Sequence, residues 1–216
     1  MSTRLAHADN AQLVEWLGEP VSREWGSNTT IKLGRTRVFV KRIPVTAIEH
    51  ADLFSTRNHF DLPTYYNYGI GSAGFGAFRE LLAHIKTTNW VLEGRIENFP
   101  LLYHYRIVPR PGRSRRPNKR WLEGYVQCWG GSESIGEYTL ARAKAKHEII
   151  LFLEHVPDIY ARWIAKNPDG YDAITSQVMD TIAFLRANGM VHFDAHWWNI
   201  LTDGERAYVT DFGLVV

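Results

Sequence analysis

Between Val191 and Gly213 the chain carries His192, Asp194, His196, Asn199 and Asp211, interleaved with Phe193, Trp197 and Trp198. Carboxylates and a carboxamide offer oxygen, which a hard cation such as magnesium takes in preference to nitrogen or sulfur. A carboxylate of ordinary basicity can also orient a hydroxyl and receive its proton. Phosphoryl transfer sets these same tasks: a carboxylate on the acceptor hydroxyl, oxygen ligands for magnesium, and a cation on the phosphates of ATP. His192-x-Asp194-x-x-x-x-Asn199, then Asp211-Phe212-Gly213 beyond the short β-rich runs Ile200-Leu201 and Ala207 to Val209, supplies the first two. Lys41, at the end of Val38-Phe39-Val40-Lys41, is the cation that a strand would aim.

The elements that must position these groups follow from periodicity. Asp9 and Gln12 form a capping pair for a short lead-in helix through Leu13, Val14 and Leu17 to Gly18. Thr29 to Ile43 reads as a hairpin around Gly34-Arg35, with Val38 and Val40 on one face and Phe39 and Lys41 on the other. Phe78 to Val91 is a helix with Leu81, Leu82 and Ile85 at helical spacing, and Glu80 lies near its start, where the helix dipole favours a carboxylate. Phe99 to Val108 and Tyr125 to Trp129 are strand candidates. Ile149 to Leu153 is a buried-strand run that Pro157 terminates, and Ile174, Val178, Ile182 and Leu185 mark a helix capped at Gly189.

Composition excludes several classes. At 216 residues and 45% hydrophobic the chain can build one sizeable core or two small lobes, so it is neither disordered nor fibrous. A net charge of +2 is too balanced for a nucleic-acid glove. The basic run Arg110, Arg113, Arg115, Arg116, Lys119 and Arg120 holds no stacking aromatics and reads as a solvated insertion loop. Cys128 is the single cysteine, which excludes an intrachain disulfide and a multi-thiolate zinc site. With no apolar run long enough to span a bilayer, a cytoplasmic protein is expected.

Taken in order, the strand lysine, helix glutamate, apolar strand, amphipathic helix, His-x-Asp loop and Asp-Phe-Gly resemble the protein kinase-like superfamily, which includes eukaryotic-type protein kinases and aminoglycoside and choline kinase relatives. The resemblance covers about residues 26 to 216. It implies an α+β two-lobe fold: residues 1–153 as a mainly β N-terminal lobe with the lead-in helix and basic loop, 154–157 as hinge, and 158–216 as an incomplete helical C-terminal lobe. It implies an ATP- and magnesium-dependent phosphotransferase with Asp194 as catalytic carboxylate, Asn199 and Asp211 as magnesium ligands, and His192 anchoring the loop. Lys41 would hold the phosphates and Glu80 would pair with it, while Glu154, His155 and Val156 would meet the adenine edge. The phosphate loop is expected near Trp25 to Asn28, with Gly26 and Ser27.

Departures from the family pattern carry their own expectations. Phe193 stands where many protein kinases have the arginine that reads an activation-loop phosphate, so control by that route is not expected. His196 resembles the small-molecule kinases, Leu214 after Asp-Phe-Gly the protein kinases, so the acceptor is either a protein Ser/Thr or a small molecule. The bland reading of His196 is a residue hydrogen-bonded within the loop, and of Trp197 and Trp198, residues packing the loop on its lobe. Gly69-x-Gly71-x-x-Gly74 falls after Lys41 and lacks a dinucleotide-binding context, so it reads as a flexible entry to the Glu80 helix. Family members continue past Asp-Phe-Gly, so Leu214, Val215 and Val216 are expected to be exposed in a fragment, or to be covered by a partner chain. The alternative to a kinase is a pseudokinase-like module that binds nucleotide or a partner without catalysis.

Overall fold

The computed structural model describes residues 1–18, 27–68, 71–110 and 117–216. Along the chain run α1 (Ser2–Ala6), α2 (Asn10–Leu17), β1 (Ser27–Leu33), β2 (Thr36–Val45), α3 (Ala47–Ala51) and α4 (Ala77–Leu92). There follow β3 (Leu102–Pro109), α5 (Lys119–Cys128), α6 (Glu133–Ala143) and β4 (His147–Glu154). The remainder is β5 (Asp158–Ile159), α7 (Tyr160–Ile164), α8 (Tyr171–Ala187), β6 (Ile200–Thr202) and β7 (Ala207–Val209). Single 3-10 turns lie at Thr64–Tyr68, Pro168–Gly170 and Phe212–Leu214. The fold is mixed α+β, and among the described residues no helix is long and apolar enough to cross a membrane.

Four antiparallel strands form the larger sheet in the order β1-β2-β4-β3, with Lys41 of β2 opposite Leu151 of β4. The alternation of side chains along a strand decides what covers each face. Val38, Val40, Ile150 and Phe152 point to one side, where Leu5 and Leu13 of the two N-terminal helices cover them. Ile43, Val45, Ile149, Leu151 and Leu153 point to the other, under Ala77, Phe78 and Leu81 of α4. Lys41 belongs to the α4 face, so a carboxylate in the first turn of that helix can meet it. On the opposite face Arg42 and Glu148, both nearly fully buried, form an ion pair.

A second core lies under the smaller sheet, β5-β6-β7, where Ile174 and Leu185 of α8 join Ile200, Val209 and Phe212. Gly189, at φ 74°, turns the chain after α8 so that the Met190 N–H reaches the Leu185 carbonyl at 2.9 Å. A third cluster joins Leu62 and Tyr66 to Ile135 and Tyr138 of α6, which fastens the long β2–α4 connection to the α5–α6 pair.

Three expectations are corrected. Tyr125 to Trp129 is not a strand: Lys119–Cys128 is helical, begun by the Asn118 side chain accepting from the Arg120 N–H at 2.8 Å. Trp121, Tyr125 and Trp129 then fall four residues apart, with ring centroids 5.2 and 6.2 Å from one another in turn. The entry to the Glu80 helix is packed rather than loose at Gly74, where a Cβ would lie 1.9 Å from the Gly213 carbonyl oxygen, whereas Gly71 has nothing within 4 Å. Leu214 and Val215 are buried, and residues 214–216 pair with 191–193 through an isolated antiparallel bridge: Val191 N–H to the Val216 carbonyl at 2.7 Å and Phe193 N–H to the Leu214 carbonyl at 3.2 Å. Only Val216 of the three is exposed.

Candidate active site

Lys41 is the centre of the site. Its Nζ lies 2.5 Å from Oε1 of Glu80 and 2.7 Å from Oδ1 of Asp211. Burial alone would pull this lysine down, but the Asp211 and Glu80 carboxylates more than offset it and hold the amine well above the usual lysine range. Glu80 is pushed up by its own burial against the pull of Lys41, and Asp211 is held below the usual carboxylate range by Lys41. The triad is therefore a protonated lysine between two carboxylates. The side chain of Asp211, 42% exposed, is the member that faces open space.

Asp211 sits at φ 62°, ψ 68°, in the left-handed region that a non-glycine residue rarely adopts. Its neighbours hold it there. Phe212 is fully buried, with ring centroids 4.8 Å from His84 and 5.5 Å from His192, and the 3-10 turn Phe212–Leu214 follows. His84, one turn beyond Glu80 on α4, is completely buried and its Nε2 lies 3.9 Å from Glu80 Oε1.

The loop from His192 to Asn199 is tied by its own polar groups. His192 Nδ1 accepts from the Asp194 N–H at 3.1 Å, so the proton is on Nε2, which donates to the Thr210 carbonyl at 3.0 Å. Burial lowers the pKa of this imidazole, in keeping with a neutral ring. Asn199 Nδ2 donates to Asp194 Oδ2 at 2.8 Å and to the Asp194 carbonyl at 3.0 Å. His196 Nδ1 accepts from the Trp198 N–H at 3.2 Å, which turns Nε2–H towards Asp194 Oδ1 at 3.5 Å. His196 is thus bound within the loop, as expected. Pairing of Ile200 with Val209 sets Asn199 beside Thr210, whose N–H donates to the Asn199 carbonyl at 3.2 Å.

His192 therefore fastens the Asp194 loop to the residue preceding Asp211, and the two carboxylate stations share one scaffold. The tryptophans are less enclosed than expected: Trp197 and Trp198 are 49% and 57% exposed. Trp197 leans on Tyr160 and Tyr171, and the Arg162 guanidinium lies 5.7 Å from the Trp198 ring.

Glu154 ends β4 with its N–H on the Leu101 carbonyl at 2.8 Å, while its side chain accepts from the Leu101 N–H at 3.1 Å. His155 and Val156, half-buried, carry the chain on to the short β5. Gly26, with Trp25, lies outside the described residues, as do Gly69 and Arg113, Arg115 and Arg116. Ser27 begins β1 opposite Arg42. A depression lined by Gln177, Asp203, Glu205 and Arg206 lies at the turn end of the β6–β7 hairpin, away from the end that carries Asn199 and Asp211.

No group of three or more His, Cys, Asp or Glu side chains forms a metal cluster among the described residues. Magnesium commonly keeps several waters and takes substrate phosphates together with one or two protein oxygens, so it does not require such a cluster. Two further residues, Glu49 and His84, touch the site's elements. Thr46-x-x-Glu49 is the helix-start signature that flags the first; a histidine four residues after Glu80 on an apolar face carried no signal.

No protein-family model matches this chain, and no curated protein matches it either.

Proposed function

We propose that the chain is an ATP- and magnesium-dependent phosphotransferase of protein kinase-like architecture, transferring the γ-phosphoryl group to a hydroxyl of a protein Ser/Thr or a small molecule. One observation carries this reading. Lys41 and Asp211, 170 positions apart, meet at 2.7 Å together with Glu80, the arrangement that the kinase-like resemblance implies for these three residues. In this reading the β1–β4 sheet with α4 is the N-terminal lobe, residues 154–157 are the hinge, and α7 to β7 with the His192–Asn199 loop belong to the C-terminal lobe.

The chemistry asked of the residues is mostly positional. Lys41, kept protonated, holds negative phosphate oxygens, and Glu80 keeps its amine aimed. Asp194, with one oxygen held by Asn199 and the other facing His196, orients the acceptor hydroxyl. As the acceptor oxygen bonds to the γ-phosphorus, the bond to the bridging oxygen breaks, ADP leaves with that electron pair, and Asp194 receives the hydroxyl proton. Asn199 and Asp211 would hold magnesium, whose charge would offset that of the phosphates.

Asp194→Asn separates binding from transfer. The variant is expected to bind Mg-ATP as the parent does and to lose phosphoryl transfer to any acceptor that the parent uses, read by isothermal titration and radiolabelled ATP. Transfer surviving in Asp194→Asn would sink the assignment.

A further inference from the structure

The first turn of α4 carries Glu80, yet its N-cap, Gly76, has no side chain with which to satisfy the exposed amides. The cap comes from elsewhere in the chain. Glu49 of α3, almost fully buried, accepts the Ala77 N–H on Oε1 at 2.8 Å. Its other oxygen accepts the Thr46 N–H at 2.8 Å and the Thr46 hydroxyl at 2.7 Å. Both carboxylate oxygens are therefore used, one on its own helix and one on α4.

Gly76 makes the approach possible, since at φ 142° a Cβ would lie 2.9 Å from Glu49 Oε1. Two residues earlier, Gly74 packs directly on the Gly213 carbonyl. The short run from Gly74 to Gly76 is thus wedged between Glu49 and the residue two beyond Asp211. A carboxylate at a helix N-terminus is also favoured by the helix dipole.

We propose that Glu49 is a positioning residue of this site: by capping α4 from outside the helix it sets the height and angle of the first turn and so holds Glu80 on Lys41. It touches no reacting atom. The inference deepens the phosphotransferase reading, but its geometry concerns the Lys41–Glu80 pair whether or not that pair serves ATP.

Its test reads the pair without nucleotide. In Glu49→Ala, hydrogen exchange of the amides of Ala77 to Glu80 should quicken by tenfold or more. Lys41, whose side chain is only 14% exposed while Glu80 holds it, should become more accessible once released, so its labelling by an amine-reactive acylating reagent at pH 8 should rise several-fold. Glu49→Gln keeps an oxygen for the Ala77 N–H and should restore most of the protection. Thr46→Val removes the hydroxyl bond on the other oxygen and should cost stability while leaving both readouts at parental values. If Glu49→Ala does not fold, Gly76→Ala, which pushes the carboxylate away, is compared with Glu49→Gln in the same assays. Exchange and labelling unchanged in Glu49→Ala, or changed equally by Thr46→Val, would overturn the proposal. Both readouts moving in a protein that never binds Mg-ATP would leave Glu49 as the cap and refute the phosphotransferase reading alone.

Discussion

His84 should make this protein acid-labile in a way that one substitution removes. The ring is completely buried, neither nitrogen makes a hydrogen bond among the described residues, and burial together with the nearby Lys41 charge pulls its pKa from 6.5 down to about 3. The groups facing it are Glu80 and Asp211, which favour its charged form, and Lys41 and His192, which oppose it. In the unfolded chain the same ring takes up a proton near pH 6.5, so below that pH the unfolded state binds one proton more than the native state. Stability from neutral burial is therefore complete above pH 6.5 and is lost as pH falls towards 3. Linkage gives about 2 kcal/mol of loss between pH 8 and pH 5, and nearly 5 kcal/mol over the whole interval. Urea unfolding of the parent and of His84→Leu at both pH values isolates this share, because the other titrating groups are common to the two. His84→Leu should be neutral or slightly stabilising at pH 8, since it removes two unpartnered buried nitrogens, and its loss on going to pH 5 should be smaller by about 2 kcal/mol. An equal loss in both proteins would refute the reasoning, because it would mean that His84 is paired or titrates normally in the native state.

Two further substitutions test the scaffold. Arg42→Met leaves the Glu148 carboxylate buried without its partner and should cost about 3 to 5 kcal/mol in urea unfolding, whereas Arg42→Met with Glu148→Leu should recover most of it; a neutral single variant would contradict the pairing. Gly74 and Gly94 share a φ of 69°, but only Gly74 has a neighbour within 4 Å. Gly94→Ala should therefore cost about 1 kcal/mol for its backbone alone, and Gly74→Ala clearly more, because it must also displace Gly213; equal losses of melting temperature would argue against that contact.

What could be read from sequence depended on whether the signal was local. Val38 to Lys41, the Glu80 helix, Ile149 to Leu153 and the stripe Ile174 to Leu185 each repeat at the period of the element they form, and each is found there. The Asp9–Gln12 capping pair is likewise realised in both directions, at 3.0 and 2.8 Å. Tyr125 to Trp129 is β-prone residue by residue, whereas the spacing of four from Trp121 is helical and answers to packing against Tyr66. The α6 segment was missed because its buried positions, Ile135, Tyr138 and Arg142, face a cluster built largely from the distant β2–α4 connection. The polar residues of the site were legible by type, but the cap that Glu49 places on a helix 28 positions away was not, since no local rule reaches that far.

The most direct test of the phosphotransferase reading is the thermal shift of the parent chain and of Asp211→Asn with ATP, with and without magnesium. Nucleotide at a hundred times its dissociation constant should stabilise the parent by about 2.7 kcal/mol, on the order of 5 to 10 °C for a chain of this size. The account predicts that this shift needs magnesium and disappears in Asp211→Asn. A folded parent that shows no shift at saturating Mg-ATP, or an equal shift in Asp211→Asn, would contradict it.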